Sequence, residues 1–150
     1  MILDYNLRLR DGGTTVLVDD SEAGTTTTLS RVATTGQAVL DIRKTPRLRG
    51  LACVVTNTAG VYTTTGDTFV VTIQAANEAD FDGGAGTIDT VATFPSLVET
   101  GVTAVIAANV MVRRFHTQKR YLRSVLTVSA ALDTGVTLGI FVGDMIEEED

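Results

Sequence analysis

Residues Val102 to Val128 have the sequence VTAVIAANVMVRRFHTQKRYLRSVLTV, and this stretch decides the predicted fold. Two apolar runs rich in β-branched residues flank a basic loop at 113–120. Valine, tyrosine and threonine favour a pleated, half-buried surface, so the stretch predicts a hairpin at the centre of a β-protein. Within the second run, alternation places two sets on opposite faces: Leu122, Ser124, Leu126 and Val128 on one, and Tyr121, Arg123, Val125 and Thr127 on the other.

The rest of the chain has the same β character. It has 150 residues, only two prolines and no tryptophan, and it is rich in threonine, valine and glycine. Further strands are predicted at 1–10, 14–18, 37–43, 51–56, 68–76, 87–94 and 136–142, with a turn at Asp11-Gly12-Gly13. About eight strands without intervening helices predict an all-β protein, an antiparallel β-sandwich of the jelly-roll type. We expect one domain over residues 1–146, followed by an acidic tail at 147–150.

The charge is unevenly distributed along the chain. The formal net charge is −6, which argues against direct binding of nucleic acid because such binders normally carry a basic surplus. Glu147-Glu148-Glu149-Asp150 is acidic, whereas 43–49 and 113–123 are locally basic. No run approaches the roughly 20 apolar residues that a membrane helix needs. Nucleic acid and membrane are therefore not expected partners.

The residues that usually carry chemistry are few. Cys53 is the only cysteine and lies in an apolar run, which predicts a small buried side chain rather than a reactive thiol. His116 is the only histidine, and a loop histidine among arginines is typical of a surface position. Asp80 and Asp82 resemble part of a calcium loop but lack its closing glutamate, so a plain turn is favoured. We expect no catalytic residue, no metal, no cofactor and no enzymatic activity.

The arginines are the remaining candidates. Arginine forks pair with carboxylates and fix the register of docking, so a basic rim on the sandwich fits an acidic protein surface, although a solvated rim without a partner fits equally well. Pairing of Arg123 within its own sheet is an alternative for that residue. The candidates for contact with a partner are Arg113, Arg114, Lys119, Arg120 and Arg123, followed by Arg47 and Arg49.

Three passages support a family resemblance. They are the opening MILDYNLRLRDG, the central RRFHTQKRYLRSVLTV with its Lys119-Arg120-Tyr121-Leu122-Arg123 run, and the closing GVTLGIFVGD. In these passages, and in its layout over nearly the whole chain, the sequence resembles the jelly-roll cement, or head decoration, proteins of short-tailed bacteriophages. The acidic residues 147–150 and the threonine-rich loops have no counterpart in that resemblance.

The resemblance implies a structural virion protein on the outer capsid surface, made in the host cytoplasm. It would stabilise contacts between subunits of the major capsid protein and would bind itself as well, with a homodimer favoured over a homotrimer. The alternatives are a tail or head-completion protein and a carbohydrate-binding jelly-roll module. The second alternative is disfavoured, since there is no tryptophan and the tyrosines are scattered.

Overall fold

The computed structural model describes residues 8–16, 26–28, 39–42, 50–58, 60–62, 68–79, 81, 87–98, 105–106, 108–128, 132–134 and 136–144. Most of them form strands, and no α-helix occurs within these ranges. The strands are β1 (Arg8–Val16), β2 (Thr26–Thr28), β3 (Leu40–Asp41), β4 (Leu51–Asn57), β5 (Gly60–Tyr62), β6 (Thr68–Ala76), β7 (Asp89–Thr93), β8 (Leu97–Val98), β9 (Val105–Ile106), β10 (Asn109–Phe115), β11 (Tyr121–Val128), β12 (Leu132–Thr134) and β13 (Val136–Asp144).

Two main antiparallel sheets form the fold. The first sheet has the order β1-β13-β4-β10, and the second has β2-β11-β6-β7, with β3 also paired to β11 and β8 to β6. Numbered along the chain, the eight main strands have the orders 1-8-3-6 and 2-7-4-5, which is the jelly-roll arrangement of two Greek keys. Three short strands form a small third sheet with the order β12-β5-β9. The prediction of an all-β antiparallel sandwich is confirmed.

One continuous core lies between the two main sheets. It follows from strict alternation, because each strand directs every second side chain inward. The first sheet contributes Leu9, Leu51, Cys53, Val55, Met111, Phe115, Leu138, Ile140 and Val142. The second contributes Leu40, Ile42, Val71, Ile73, Ala75, Phe94 and Leu122. Burial of large aliphatic side chains of this kind stabilises a fold by about 1.5–3 kcal/mol each.

The predicted central hairpin is wrong. β10 pairs with β4 in the first sheet, whereas β11 pairs with β6, β2 and β3 in the second. The loop 116–120 therefore crosses from one sheet to the other instead of turning back within one sheet. Alternation of apolar residues specifies which face a strand buries but does not specify its neighbour, so Met111 and Leu122 can share the core from opposite sheets.

The predicted turn at Asp11-Gly12-Gly13 is also wrong. These residues lie inside β1, which pairs with β13 on both sides of them. The register shifts between Arg8 and Arg10 and again between Asp11 and Thr15. Glycine tolerates the local distortion of a β-bulge, so the glycines interrupt the ladder without ending the strand.

Candidate interaction surface

The loop 116–120 lies at one end of the sandwich, and three strand ends meet there. Phe115, the last residue of β10, pairs with Leu51 at the start of β4. Leu51 pairs on its other side with Asp144, the last residue of β13. Because β10 and β13 are both antiparallel to β4, the two strands run toward this same end.

β10 forms one edge of the first sheet. Met111 and Phe115 are buried in the core, whereas Val110 and Val112 lie on the outer face with 65% and 55% of their surface exposed. The sequence predicted a strand here, but Val110 and Val112 were not identified as exposed residues. The signal was present in the alternation, since neighbours of a buried Met111 must face outward.

The β10 edge is more regular than the other sheet edges. Its ladder with β4 runs without a register shift over seven pairs, from Asn109↔Asn57 to Phe115↔Leu51. In contrast, the ladders of β1 and β7 contain register shifts, and β2 has three residues. Irregular or short edges resist pairing with other chains, whereas a flat edge favours it. Among the described edges, β10 is therefore the best template for a partner.

A half-buried aromatic ring, that of Phe141, lies on the outer face of the first sheet and is separated from β10 by β4. Val54 pairs with Val112 on one side and with Phe141 on the other, so these three side chains form one row across the sheet. A Cβ atom built on Gly139 would lie 2.6 Å from Oγ1 of Thr56 and 2.8 Å from Cε2 of Phe141. The Phe141 ring therefore occupies space that only a glycine leaves open.

Arg113 and Arg114 are exposed near the end of β10. By alternation, Arg114 lies on the outer face with Val110 and Val112, whereas Arg113 lies on the side of Met111. Neither forms a hydrogen bond or an ion pair with another described residue. We call Val110, Val112, Arg113 and Arg114 the β10 surface. It combines two apolar side chains with two cations that remain accessible to carboxylates.

The other two predicted cations at this end have partners within the chain. Nε and Nη2 of Arg120 donate to the two carboxylate oxygens of Asp41 at 3.1 and 2.8 Å, and this hydrogen bonding raises the pKa of Arg120. The same guanidinium lies 4.8 Å from the ring centroid of Tyr121. Nζ of Lys119 is 3.8 Å from Oδ2 of Asp89. These cations fix the loop to β3 and β7 and are less available for docking.

Arg123 lies on the outer face of the second sheet, away from β10. Its Nε donates to Oε1 of Gln74 at 2.8 Å, and its guanidinium lies 4.4 Å from the ring centroid of the buried Phe81. Burial lowers the pKa of Arg123. Phe81 has φ near 54°, an uncommon value for a non-glycine residue, and its N–H donates to the carbonyl of Glu78. Arg123 thus holds a turn against its own sheet, the alternative that the sequence left open.

Arg47 and Arg49 lie outside the described residues. The residues that flank their segment are described, and both contact the loop 116–120. The N–H of Ile42 donates to the carbonyl of Arg120 at 3.0 Å, and Gly50 lies beside the imidazole of His116. Ile42 and Gly50, the described residues on either side of 43–49, therefore both lie next to this loop.

An open polar groove of about 570 Å³ lies next to the loop. It is lined by Asp89, Thr90, Val91, His116, Thr117, Gln118 and Lys119. The Lys119–Asp89 ion pair forms part of its wall, and His116 is exposed. The polar surface at this end of the sandwich is therefore larger than the β10 surface alone.

Two buried groups with reactive or polar atoms lie inside the sandwich. Cys53 is fully buried at the centre of β4, and its burial raises the pKa of the thiol, so the prediction of a small buried side chain is confirmed. Ser124 is buried in β11, and its hydroxyl has no hydrogen-bond partner within the described part of the chain. Neither group is accessible to a substrate.

Among the described residues, no cluster of three or more histidine, cysteine, aspartate or glutamate side chains could hold a metal ion. The candidate calcium-loop residues Asp80 and Asp82 lie outside the described part. Within the described ranges, no helix has the length and apolar character needed to cross a membrane.

No protein-family model matches this chain, and no curated protein is significantly similar to it.

Proposed function

We propose that this chain is a non-enzymatic structural protein that docks onto an acidic protein surface of a larger assembly through the β10 surface. The observation that carries the proposal is the combination found on β10. Arg113 and Arg114 have no described ion pair, and two exposed valines share the outer face of Arg114 on the same uninterrupted edge strand. Arginine is well suited to pairing with carboxylates, and exposed apolar side chains add contact area.

The proposed assembly is a bacteriophage capsid, with the major capsid protein as the partner and the outer shell surface as the location. The resemblance of the sequence to cement proteins supports this choice, and the jelly-roll topology is the fold that the resemblance implies. Each docking contact need only be weak. A shell presents many copies of one site, and a bivalent homodimer binding two of them gains affinity through effective concentration.

Two features of the described cations refine the candidate contacts. Arg120 and Lys119 are paired to Asp41 and Asp89, so we assign them to positioning the loop rather than to the first contact. Arg123 is assigned to its own sheet through Gln74. Arg113 and Arg114 remain as the primary candidates, because an unpaired exposed guanidinium does not have to give up an internal partner when it binds a carboxylate.

Imaging of virions tests the location. Particles made with and without this protein are compared by negative-stain or cryo-electron microscopy. The proposal expects extra density at repeated positions on the outer shell. Density confined to the tail or the head–tail junction would contradict it and would favour the tail or head-completion alternative. A mass measurement of the purified chain in solution separates the expected homodimer from a homotrimer.

A further inference from the structure

One hydrogen bond identifies which backbone groups of β10 face away from β4. The N–H of Val110 donates to Oδ1 of the neighbouring Asn109 at 2.7 Å, so this N–H is directed away from β4. Residues of an antiparallel ladder alternate between pairs that exchange hydrogen bonds and pairs that direct their N–H and C=O groups to the opposite side. Because the ladder with β4 has no register shift, Val112 and Arg114 share the orientation of Val110. The N–H and C=O groups of these three residues therefore face the free edge.

The free edge of β10 is open to a further strand. β10 is the last strand of the first sheet, and among the described strands only β4 pairs with it. Val110, Val112, Arg113 and Arg114 are all exposed. A row of unpaired N–H and C=O groups is a template for strand addition, which is a recurrent mode of peptide recognition. The β10 edge therefore has the backbone geometry to bind an extended segment.

The two arginines of β10 lie on opposite faces of the first sheet. Arg114 is on the outer face with the exposed valines, whereas Arg113 is on the side of Met111. A flat partner surface that covers one face of the sheet contacts only one of the two arginines. A strand added at the edge contacts both, because its successive side chains also alternate between the two faces. Two consecutive carboxylates in such a strand lie opposite Arg114 and Arg113.

Charge favours an acidic occupant of this edge over a second copy of the chain. β10 contains two arginines and no acidic residue, so pairing two β10 strands would add cations without any carboxylate. Opposite charges across a strand pair are stabilising, like charges are destabilising, and charged residues on an edge oppose pairing with the same edge. Arg113 and Arg114 also have no described ion pair, unlike Lys119 and Arg120. An acidic segment therefore supplies the carboxylates that the edge lacks.

We propose that the β10 edge binds an extended acidic segment of the partner protein as an added antiparallel strand. The inference rests on the proposed function, because it specifies how the partner engages the β10 surface. The antiparallel direction is the more stable per residue. In that direction the segment reads acidic, acidic, apolar, any residue, apolar, and these positions lie opposite Arg114, Arg113, Val112, Met111 and Val110 in turn. Its first, third and fifth residues exchange hydrogen bonds with β10.

A pair of N-methylated peptides tests the added strand. The parent peptide, acetyl-EEVTVT-amide, has this pattern, and its dissociation constant is measured by NMR titration of the isotope-labelled protein. One derivative is methylated on the N–H of the first valine, which faces β10 opposite Val112. The matched control is methylated on the next threonine, whose N–H faces away from β10 at the position opposite Met111.

We expect the first derivative to bind at least about tenfold more weakly than the matched control, because it loses a hydrogen bond and its methyl group blocks the close approach of the strands. Equal binding of the two derivatives would overturn the inference.

Single arginine variants test whether the segment engages both faces of the sheet. R113Q and R114Q are titrated with the parent peptide, and the control R10Q removes one charge from β1 at the opposite edge of the same sheet. We expect R113Q and R114Q each to weaken binding by about twofold to fivefold and R10Q to leave it unchanged. Loss of affinity in R114Q alone would place the ligand on the outer face only and would overturn the strand arrangement.

The backbone amides of β10 report the register of the added strand. When the parent peptide is added, the amides of Val110, Val112 and Arg114 should exchange with solvent more slowly, whereas those of Met111 and Arg113 are already directed to β4. Absence of this protection at millimolar peptide would overturn the inference. Protection of the same three amides by a higher protein concentration alone would assign the edge to a second copy and would overturn it as well.

Failure of the added strand is distinguishable from failure of the proposed function. If the two methylated peptides bind equally while R113E/R114E still abolishes occupancy on capsid shells, the docking surface stands and only the added strand is removed. If occupancy on shells does not depend on the two arginines, the proposed function itself fails.

Discussion

Replacing Gly139 by alanine should destabilise the sandwich, although alanine usually stabilises a strand relative to glycine. Gly139 lies in the middle of β13, between β1 and β4, where it pairs with Thr56. Its new Cβ would lie 2.6 Å from Oγ1 of Thr56 and 2.8 Å from Cε2 of Phe141. Both distances are shorter than ordinary van der Waals contacts, so the Phe141 ring and the threonine must move.

The magnitude follows from two opposing effects. Reduced freedom of the unfolded chain favours alanine by about 0.4–1 kcal/mol where the backbone conformation is compatible. Overpacking and the displaced ring cost about 1–3 kcal/mol. We therefore expect Gly139→Ala to lower the free energy of unfolding by about 1–2 kcal/mol. For a domain of this size, a loss of 1 kcal/mol lowers the melting temperature by roughly 2–4 °C.

Equilibrium unfolding in urea measures the change in the free energy of unfolding. An unchanged dependence of this free energy on urea concentration indicates that the substitution leaves the native and unfolded states unaltered. The double variant Gly139→Ala/Phe141→Leu supplies the control, because removing the ring should relieve the part of the clash that involves Phe141 and leave the contact with Thr56. We expect a favourable coupling of about 1 kcal/mol between the two substitutions. Wild-type or higher stability of Gly139→Ala, or additive effects in the cycle, would refute the reasoning about the ring.

Three further predictions concern other buried or paired groups. Ser124→Ala should leave the free energy of unfolding unchanged or raise it by up to about 1 kcal/mol, because the hydroxyl is buried without a described partner; a clear loss in urea unfolding would contradict this. Burial raises the pKa of Cys53, so its thiol should resist alkylation in the native state, and above about pH 8.5 the unfolded thiol alone ionises. Above that pH, the free energy of unfolding of the wild type should therefore fall by up to about 1.4 kcal/mol per pH unit relative to that of Cys53→Ala. Parallel pH profiles of unfolding free energy for the two proteins would contradict the burial of the thiol. Arg120→Gln should accelerate amide exchange at Ile42, whose N–H is bonded to residue 120 beside the Asp41 pair, and the control Arg114→Gln should not.

The fold class was predictable because its causes are local. Threonine and valine favour strands, and the alternating residues of 68–76 and the continuous apolar run 51–56 each indicated a strand. Cys53 is buried in the core as expected, together with Val71 and Ile73. The jelly-roll prediction followed from the number of strands, and the observed sheet orders confirm it.

The pairing of strands was not predictable in the same way. Two adjacent apolar strands with a short connection usually form a hairpin, yet β10 and β11 lie in different sheets. Both arrangements bury Met111 and Leu122, so the sequence pattern does not distinguish them. Asp11-Gly12-Gly13 illustrates the converse, because residues that favour a tight turn also fit a bulge inside a long strand.

The candidate surface was partly predictable. The basic character of 113–123 was evident, but the availability of each cation depends on acidic residues far away in the sequence. Asp41 pairs with Arg120 and Asp89 with Lys119, whereas Arg113 and Arg114 have no described ion pair. The contribution of Val110 and Val112 depends on β10 lying at a sheet edge, which only the pairing of the strands reveals.

Occupancy on purified capsid shells tests the central claim most directly. Shells lacking the protein are mixed with the wild type, with R113E/R114E, or with R8E/R10E, which makes the same charge change on β1 at the opposite edge of the same sheet. Arg120 is left unchanged because its pair with Asp41 supports the fold. After a check that each variant is folded, bound protein is quantified by sedimentation with the shells. The account predicts that the wild type and R8E/R10E bind and that R113E/R114E does not, whereas wild-type occupancy by R113E/R114E would contradict it.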